Sequence, residues 1–304
     1  MSPLRFDGRV AIVTGAGRGI GRGYARLLAE RGASVVVNDL GGSIEGVGAD
    51  AGPASSVAAE IVAAGGVAVA DTNDVAGTTG AQALVESAVE RFGQVDILVN
   101  NAGIIRWARV EEADAEVLAQ HVAVHLAGSF DTTRAAWPHM VERHYGRVVM
   151  TTSTGMFGLP GNLSYAAAKG GVVGLTRNFA VEGAEHGIRA NAIAPAAVTR
   201  MAGQSGEDPT GAVAPQMAPE MVAPMVAYLA HEDCPVTGEI YVAGFGRFAR
   251  LFIASTEGYV QRDGAPTIED VAAHWTAIND ERGYAVPTDL NAWSAAFTAH
   301  LREA

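Results

Sequence analysis

A single cysteine, Cys234, stands in 304 residues. That excludes an internal disulfide and a thiolate metal cluster, and it fits a reducing compartment. No apolar run approaches the ~20 residues that a membrane-spanning helix needs. The opening MSPLRFDGRVAIVTG lacks the apolar core and cleavage signal of a secretory leader. The final Leu301-Arg302-Glu303-Ala304 is not a peroxisomal tripeptide, so the expected location is the cytoplasm. Positive charge is also short: 21 Lys and Arg face 33 Asp and Glu, a formal net charge of -12. Nucleic-acid phosphates would be repelled by that field, which argues against general nucleic-acid binding while leaving room for a local basic pocket.

What is present is apolar and rich in glycine. Hydrophobic residues make up 49% of the chain and charged ones only 18%, enough for a large core and too apolar for a disordered chain. The length suits one α/β domain with appendages. Short apolar runs at Arg9–Thr14, Ser34–Asn38, Val67–Ala70, Ile97–Asn100, Arg147–Thr151, Ile188–Ile193 and Glu239–Val242 read as strands buried on both faces. Between them, Gly19–Arg31, Ser55–Ala64, Gly80–Phe92, Asp114–Arg143, Tyr165–His186 and Pro219–Leu229 read as helices, the fourth with Pro138 as a point of bending. The alternation implies a doubly wound parallel sheet with helices on both faces.

Met201–Pro219, rich in Gly, Pro and Ala without a period, reads as a loop. Beyond Val242 lies an extension in which Thr267 and Asp270 open a helix to about Asn279, and Pro287 precedes a last helix carrying Trp293 and Phe297. The expected division is therefore 1–245 for the sheet domain and 246–304 for a helical extension, whose apolar faces pack on the same domain or on a neighbouring subunit.

Thr14-Gly15-Ala16-Gly17-Arg18-Gly19-Ile20-Gly21 follows the first strand and opens the first helix. Glycines at such a turn let the backbone approach a pyrophosphate, whose charge is met by the helix N-terminus. Asp39, with Leu40 beside it, ends the second strand 20 residues after Gly19. A carboxylate there accepts from ribose hydroxyls and repels a 2′-phosphate, favouring NAD over NADP, although Arg18 pulls the other way. Asp74 and Val75, after the third strand, suit the adenine edge.

These features, with Asn100-Asn101-Ala102-Gly103 after the fourth strand and Tyr165-Ala166-Ala167-Ala168-Lys169, make the chain resemble the short-chain dehydrogenase/reductase family over roughly residues 5–245. The resemblance implies a seven-stranded Rossmann-type sheet in the order 3-2-1-4-5-6-7, a nicotinamide cofactor and a homodimer or homotetramer. Val36–Gly42, Val124–Phe130, Thr133–Met140, Ile193–Met201 and the tail are similar to the (3R)-hydroxyacyl-CoA dehydrogenase group within it.

Tyr165 and Lys169, four residues apart, share one helix face. A nearby ammonium favours the phenolate, so the tyrosine can take the proton of an alcohol. The resemblance further implies that Lys169 binds the nicotinamide ribose and that Asn101 braces the turn together with Ala102 and Gly103. It also implies that Pro195 through Val198 turn under the nicotinamide. The family's serine stands 13 residues before the tyrosine, which is Thr152 here, with Ser153 the alternative. The fourth partner, in a proton relay, corresponds to His125. Gly170, Gly171 and Gly174 weaken the catalytic helix and suggest close approach, either to the sheet or to a partner's helix.

The expected activity is NAD-dependent interconversion of a secondary alcohol and a ketone, with a 3-hydroxyacyl-CoA as the leading substrate. Arg106, Arg109, Arg200, Arg247 and Arg250 are scattered candidates to meet its anionic groups. Alternatives are a hydroxysteroid or steroid side-chain thioester, a carrier-protein-bound acyl group, and an inactive NAD-binding regulatory protein.

Overall fold

The computed structural model describes residues 3–202, 215–262 and 264–302. Among the described residues, eight strands form one sheet: β1 (Val10–Thr14), β2 (Ser34–Asn38), β3 (Val67–Asp71), β4 (Ile97–Asn100), β5 (Gly146–Thr151), β6 (Ile188–Pro195), β7 (Ile240–Gly244) and β8 (Arg247–Leu251). The order is β3-β2-β1-β4-β5-β6-β7-β8. The pairings from β3 across to β7 are all parallel, with Val13 opposite both Val37 and Val99. The order in which strands are added switches sides between β1 and β4, where a doubly wound sheet opens a crevice beyond its strand ends.

Strands β1, β4 and β5 are buried throughout, as runs without polar alternation require. β3 departs from that expectation, with Val67 exposed, because it is the sheet edge. β8 was not legible as a strand. It joins β7 through Phe245 and Gly246, both at positive φ (53° and 75°), a two-residue reversal suited to a hairpin, and it is almost wholly exposed.

The helices are α1 (Gly19–Glu30), α2 (Gly52–Ala63), α3 (Thr78–Phe92), α4 (Ala115–His121), α5 (Gly128–Glu142), α6 (Leu163–Gly183) and α7 (Ala223–Ala230). The single helix expected over Asp114–Arg143 is interrupted by a π turn at Val122–Ala127, whereas Pro138 lies inside α5 without ending it. Asp114 caps α4 by accepting from Val117 N at 2.8 Å. The core on one face of the sheet joins Val13, Val35 and Val99 to Tyr24 and Leu28 of α1 and Leu229 of α7.

Compactness divides the chain at Met1–Arg250 and Leu251–Ala304. The second unit carries α8 (Ile268–Ala273), α9 (Trp275–Ile278) and α10 (Leu290–Phe297). Thr267 and Asp270 form a reciprocal capping box at α8. Inside this unit the rings of Tyr259 and His274 stack at 3.6 Å and those of Trp293 and Phe297 at 4.7 Å. Ile268, Trp275, Leu290 and Phe297 are exposed among the described residues. Of the expected loop at Met201–Pro219, residues 203–214 lie outside the described ones.

Candidate active site

The turn after β1 is laced to the turn after β4. The Thr14 hydroxyl accepts from the backbone of Asn101 (2.9 Å) and Ala102 (3.0 Å), while Asn101 Nδ2 donates to the carbonyls of Thr14 (2.9 Å) and Gly15 (3.1 Å). That closeness dictates glycine. A Cβ on Gly15 would lie 2.8 Å from Ala102 Cα, and one on Gly21 would lie 2.3 Å from Gly15 O. Asn101 is thus a brace, and its amide is spent on the turn.

Beside this seam lies a cleft of about 840 Å³ lined by Gly15, Arg18, Gly19, Ile20, Gly21, Asp39, Leu40, Asp74, Val75, Asn101, Ala102 and Gly103. Its size falls in the range of small-molecule and cofactor sites. Asp39 is fixed in it from both sides: Oδ2 accepts from Gly17 N (2.8 Å) and Oδ1 from Gly41 N (2.7 Å). Arg18 is turned towards the Gly42 carbonyl, at 3.2 Å. A backbone cradle that excludes side chains, a helix N-terminus and a positioned carboxylate fit a dinucleotide.

Tyr165 and Lys169 sit on α6. Lys169 is buried, donates to Thr151 O at 2.6 Å, and places Nζ 5.8 Å from the Tyr165 ring centre. Burial lowers the Lys169 ammonium to about 7. It raises the Tyr165 hydroxyl above its ordinary value, while a hydrogen bond with the Ser153 hydroxyl pulls the other way. Thr152 lies apart: its hydroxyl is buried and donates to Lys169 O at 2.8 Å.

His125 stands in the π turn with its ring edge-on to Tyr165, centres 5.1 Å apart. Such turns within helices are frequent at functional sites. Its Nε2 lies 2.8 Å from Ile104 O and 3.2 Å from Ile104 N, and its buried Nδ1 has no partner. Burial first, then the Lys169 charge, holds it well below the ordinary histidine range, so the ring is neutral. His121 stacks on it at 5.9 Å and also meets Tyr165 edge-on, at 6.2 Å.

Residues 9–210 match the short chain dehydrogenase family. The chain belongs to the short-chain dehydrogenase/reductase family. It is an oxidoreductase of CH–OH groups, in a family whose members use NAD(P). A Mycobacterium tuberculosis protein named as a short-chain type dehydrogenase/reductase is 46% identical over 276 residues, covering 90% of this chain and 95% of that one. The peroxisomal multifunctional enzyme type 2 of Mus musculus is 43% identical over 290 residues, 92% of this chain and 38% of the mouse protein. The chain thus spans less than half the length of that relative. Among solved structures, full-length peroxisomal multifunctional enzyme type 2 from Drosophila melanogaster superposes with a TM-score of 0.80 at 35% identity, over 99% of this chain and 50% of the other. A short chain dehydrogenase from Mycobacterium avium gives 0.79 at 37% identity, over 90% and 97%.

Within this dehydrogenase fold, the geometry separates the two hydroxyls that register alone left open. Thr152, at the 13-residue spacing, faces the α6 backbone; Ser153, one residue later, is the one beside Tyr165. Pro195 ends β6, and Val198 N donates to Met217 O at 3.1 Å, so that N–H is already engaged. Neither residue lines the cleft, whereas Thr199, Arg200 and Met201 do.

Of the scattered arginines, Arg106 and Arg200 line the cleft, Arg109 and Arg247 are exposed, and Arg250 pairs with Glu239 at 2.7 Å. Sequence reasoning missed His121, whose helical spacing of four from His125 was a usable signal. It also missed the segment Gly42–Val47, which lines the cleft opposite Ile104; the glycines following Asp39 pointed to it.

Proposed function

We propose that this chain is an NAD-dependent dehydrogenase that interconverts a 3-hydroxyacyl-CoA and the 3-oxoacyl-CoA. The observation that carries the alcohol chemistry is the convergence of Ser153 and Lys169 on Tyr165. The substrate reading is supported by the likeness to the peroxisomal multifunctional enzymes, which runs through 92% of the chain and into the extension.

In the direction of oxidation, Ser153 Oγ donates a hydrogen bond to the C3 oxygen of the substrate and holds it beside Tyr165. Tyr165, as the phenolate, accepts the hydroxyl proton. Lys169 in its charged form favours that phenolate, and the low polarity of the buried site strengthens the attraction. The nicotinamide, when bound, supplies the acceptor for the hydride leaving C3. In reduction, Tyr165 returns the proton. His125, edge-on to Tyr165, would relay that proton only by taking it at one ring nitrogen as it gives one up from the other, since burial and the Lys169 charge keep the ring neutral.

The preference for NAD rests on Asp39, whose two oxygens are aimed by backbone donors at the end of β2. Arg18, engaged by Gly42 O, is turned away from the task of pairing with a 2′-phosphate. Gly15, Gly19, Ile20 and Gly21 would hold the pyrophosphate, and Asp74 and Val75 the adenine. A homo-oligomer fits α6: a Cβ on Gly170 or Gly174 meets nothing among the described residues within 4 Å, so close approach to those residues does not explain the two glycines.

The test is NAD reduction followed with (3R)- and (3S)-hydroxyacyl-CoA panels of several chain lengths, beside Tyr165→Phe. Turnover of the (3R) set, lost in the variant, is the expected result. Turnover of free sterols with none of thioesters would overturn the substrate reading. Cofactor binding with no turnover of any alcohol or ketone would favour the inactive regulator instead.

A further inference from the structure

Asn162 occupies the N-cap of α6, three residues before Tyr165, yet its side chain makes no capping hydrogen bond. Asparagine at this position ordinarily accepts from a backbone N–H of the first turn. Here the residue is only 4% exposed and its Oδ1 is buried without a partner. A buried amide oxygen that forgoes both its cap and any substitute is a local penalty of the kind folds retain at functional sites.

The other end of the amide, Nδ2, faces the reaction centre. The position that a Cβ on Gly155 would take lies 2.6 Å from Asn162 Nδ2, 3.2 Å from Ser153 Oγ and 3.6 Å from Tyr165 Cε1. Three polar side chains therefore border one small space, which glycine leaves clear. Two of them, Ser153 and Tyr165, are the pair assigned above to the reacting oxygen. The third is an amide that can donate without ionising.

We propose that Asn162 anchors the thioester carbonyl of the substrate, two carbons from the alcohol that Tyr165 deprotonates. The inference rests on the proposed 3-hydroxyacyl-CoA activity and adds its specificity element. A 3-hydroxyacyl thioester carries two oxygens with one methylene between their carbons. An N–H donor close to the Ser153–Tyr165 pair suits the second oxygen while the first is held. Asn162 takes no part in proton transfer; it positions C3 by holding C1.

The experiment compares (3R)-hydroxybutyryl-CoA with its thioether analogue, 3-hydroxybutyl-CoA, which lacks only the C1 carbonyl. Wild type, Asn162→Leu and Asn162→Asp are measured, each with NADH binding and thermal melting as controls of folding. Wild type is expected to favour the thioester in kcat/KM by about 30-fold, the worth of a good hydrogen bond to a neutral group in a closed site. Both variants are expected to bring that ratio to within about threefold, mainly through KM for the thioester. Aspartate keeps the shape and lacks the donor, so it reports even where leucine fails to fold. Equal losses on both compounds, with the ratio kept, would mean a purely structural role and overturn the inference alone. A wild type that oxidises other alcohols but neither CoA compound would overturn the proposed function, and the inference with it.

Discussion

The hydroxyl of Thr152 donates to the carbonyl oxygen of Lys169, 2.8 Å away, and is wholly buried. It ties the end of β5 to the second turn of α6 and so fixes the height of the catalytic helix over the sheet. Ser153, the next residue, is released by that tie to face Tyr165. Thr152→Val is expected to destabilise the fold by ~1 kcal/mol, from the lost hydrogen bond. Its kcat should stay within about fivefold of wild type. Ser153→Ala is expected to melt as wild type does and to lose about 100-fold or more in kcat, as removal of one donor at a reacting oxygen does. Thermal melting and steady-state rates on the two variants check both; the reverse pattern would restore Thr152 to the reaction.

Asp39 owes its orientation to the N–H groups of Gly17 and Gly41, so its charge can be removed more safely than its shape. Asp39→Asn keeps one acceptor and deletes the negative charge facing a 2′-phosphate. The ratio of kcat/KM with NAD to that with NADP should fall by on the order of 30-fold, since like-charge opposition is worth a few kcal/mol. Paired measurements with the two cofactors decide it. A ratio unmoved in the variant would shift the discrimination to another group at the cleft.

Much of this was legible in the chain because the signals were of two strong kinds. Buried parallel strands such as Val35–Val37 and Ile97–Val99 are apolar without alternation, and the glycine turn between β1 and α1 is dictated by backbone contact with Ala102. What escaped depended on direction. Spacing places Thr152 opposite the tyrosine, but a hydroxyl can turn to either side of a strand end, and here it turned to α6. The spacing of four puts His121 and His125 on one helix face, but that both rings meet Tyr165 beside a π turn at Val122–Ala127 is a matter of packing that the spacing does not announce. β8 is exposed and carries Arg247 and Arg250, so it lacks the apolar pattern that marks the inner strands.

On the outer face of α5 and α6, Phe130 and Phe179 stack at 6.2 Å and Trp137 packs on Phe179 at 5.5 Å. Phe130 is exposed, and Gly174 has open space where a side chain would be. Gly174→Arg should leave the isolated protomer intact, and even gain ~0.5–1 kcal/mol of helix propensity, while blocking any subunit seated on this face. Light scattering is expected to show an oligomer for wild type and a smaller species for the variant. A monomeric wild type, or an oligomer that survives the arginine, would move the contact elsewhere.

Lys169 is buried with the Thr151 carbonyl as its hydrogen-bond acceptor, and burial lowers its ammonium to about 7, against an ordinary lysine near 10.4 in the unfolded chain. Between those two values the unfolded chain binds the proton and the folded one does not, so stability rises with pH across that window. The gain is complete above the unfolded value and is lost as pH falls through the folded one. Lys169→Met removes this titration. It also removes the bond to Thr151 O, a cost that does not depend on pH. Relative to wild type, the variant should therefore be most favoured near and below pH ~7 and least favoured near pH ~10, with a swing of up to about 4 kcal/mol. Thermal melts of both proteins without cofactor, across that range, measure the swing. A constant difference between the curves would mean that Lys169 keeps its proton in the folded protein to the ordinary lysine range. Its charge would then be available to Tyr165 throughout neutral pH, and the fall in activity above neutrality that a lysine titrating near 7 demands would not be seen.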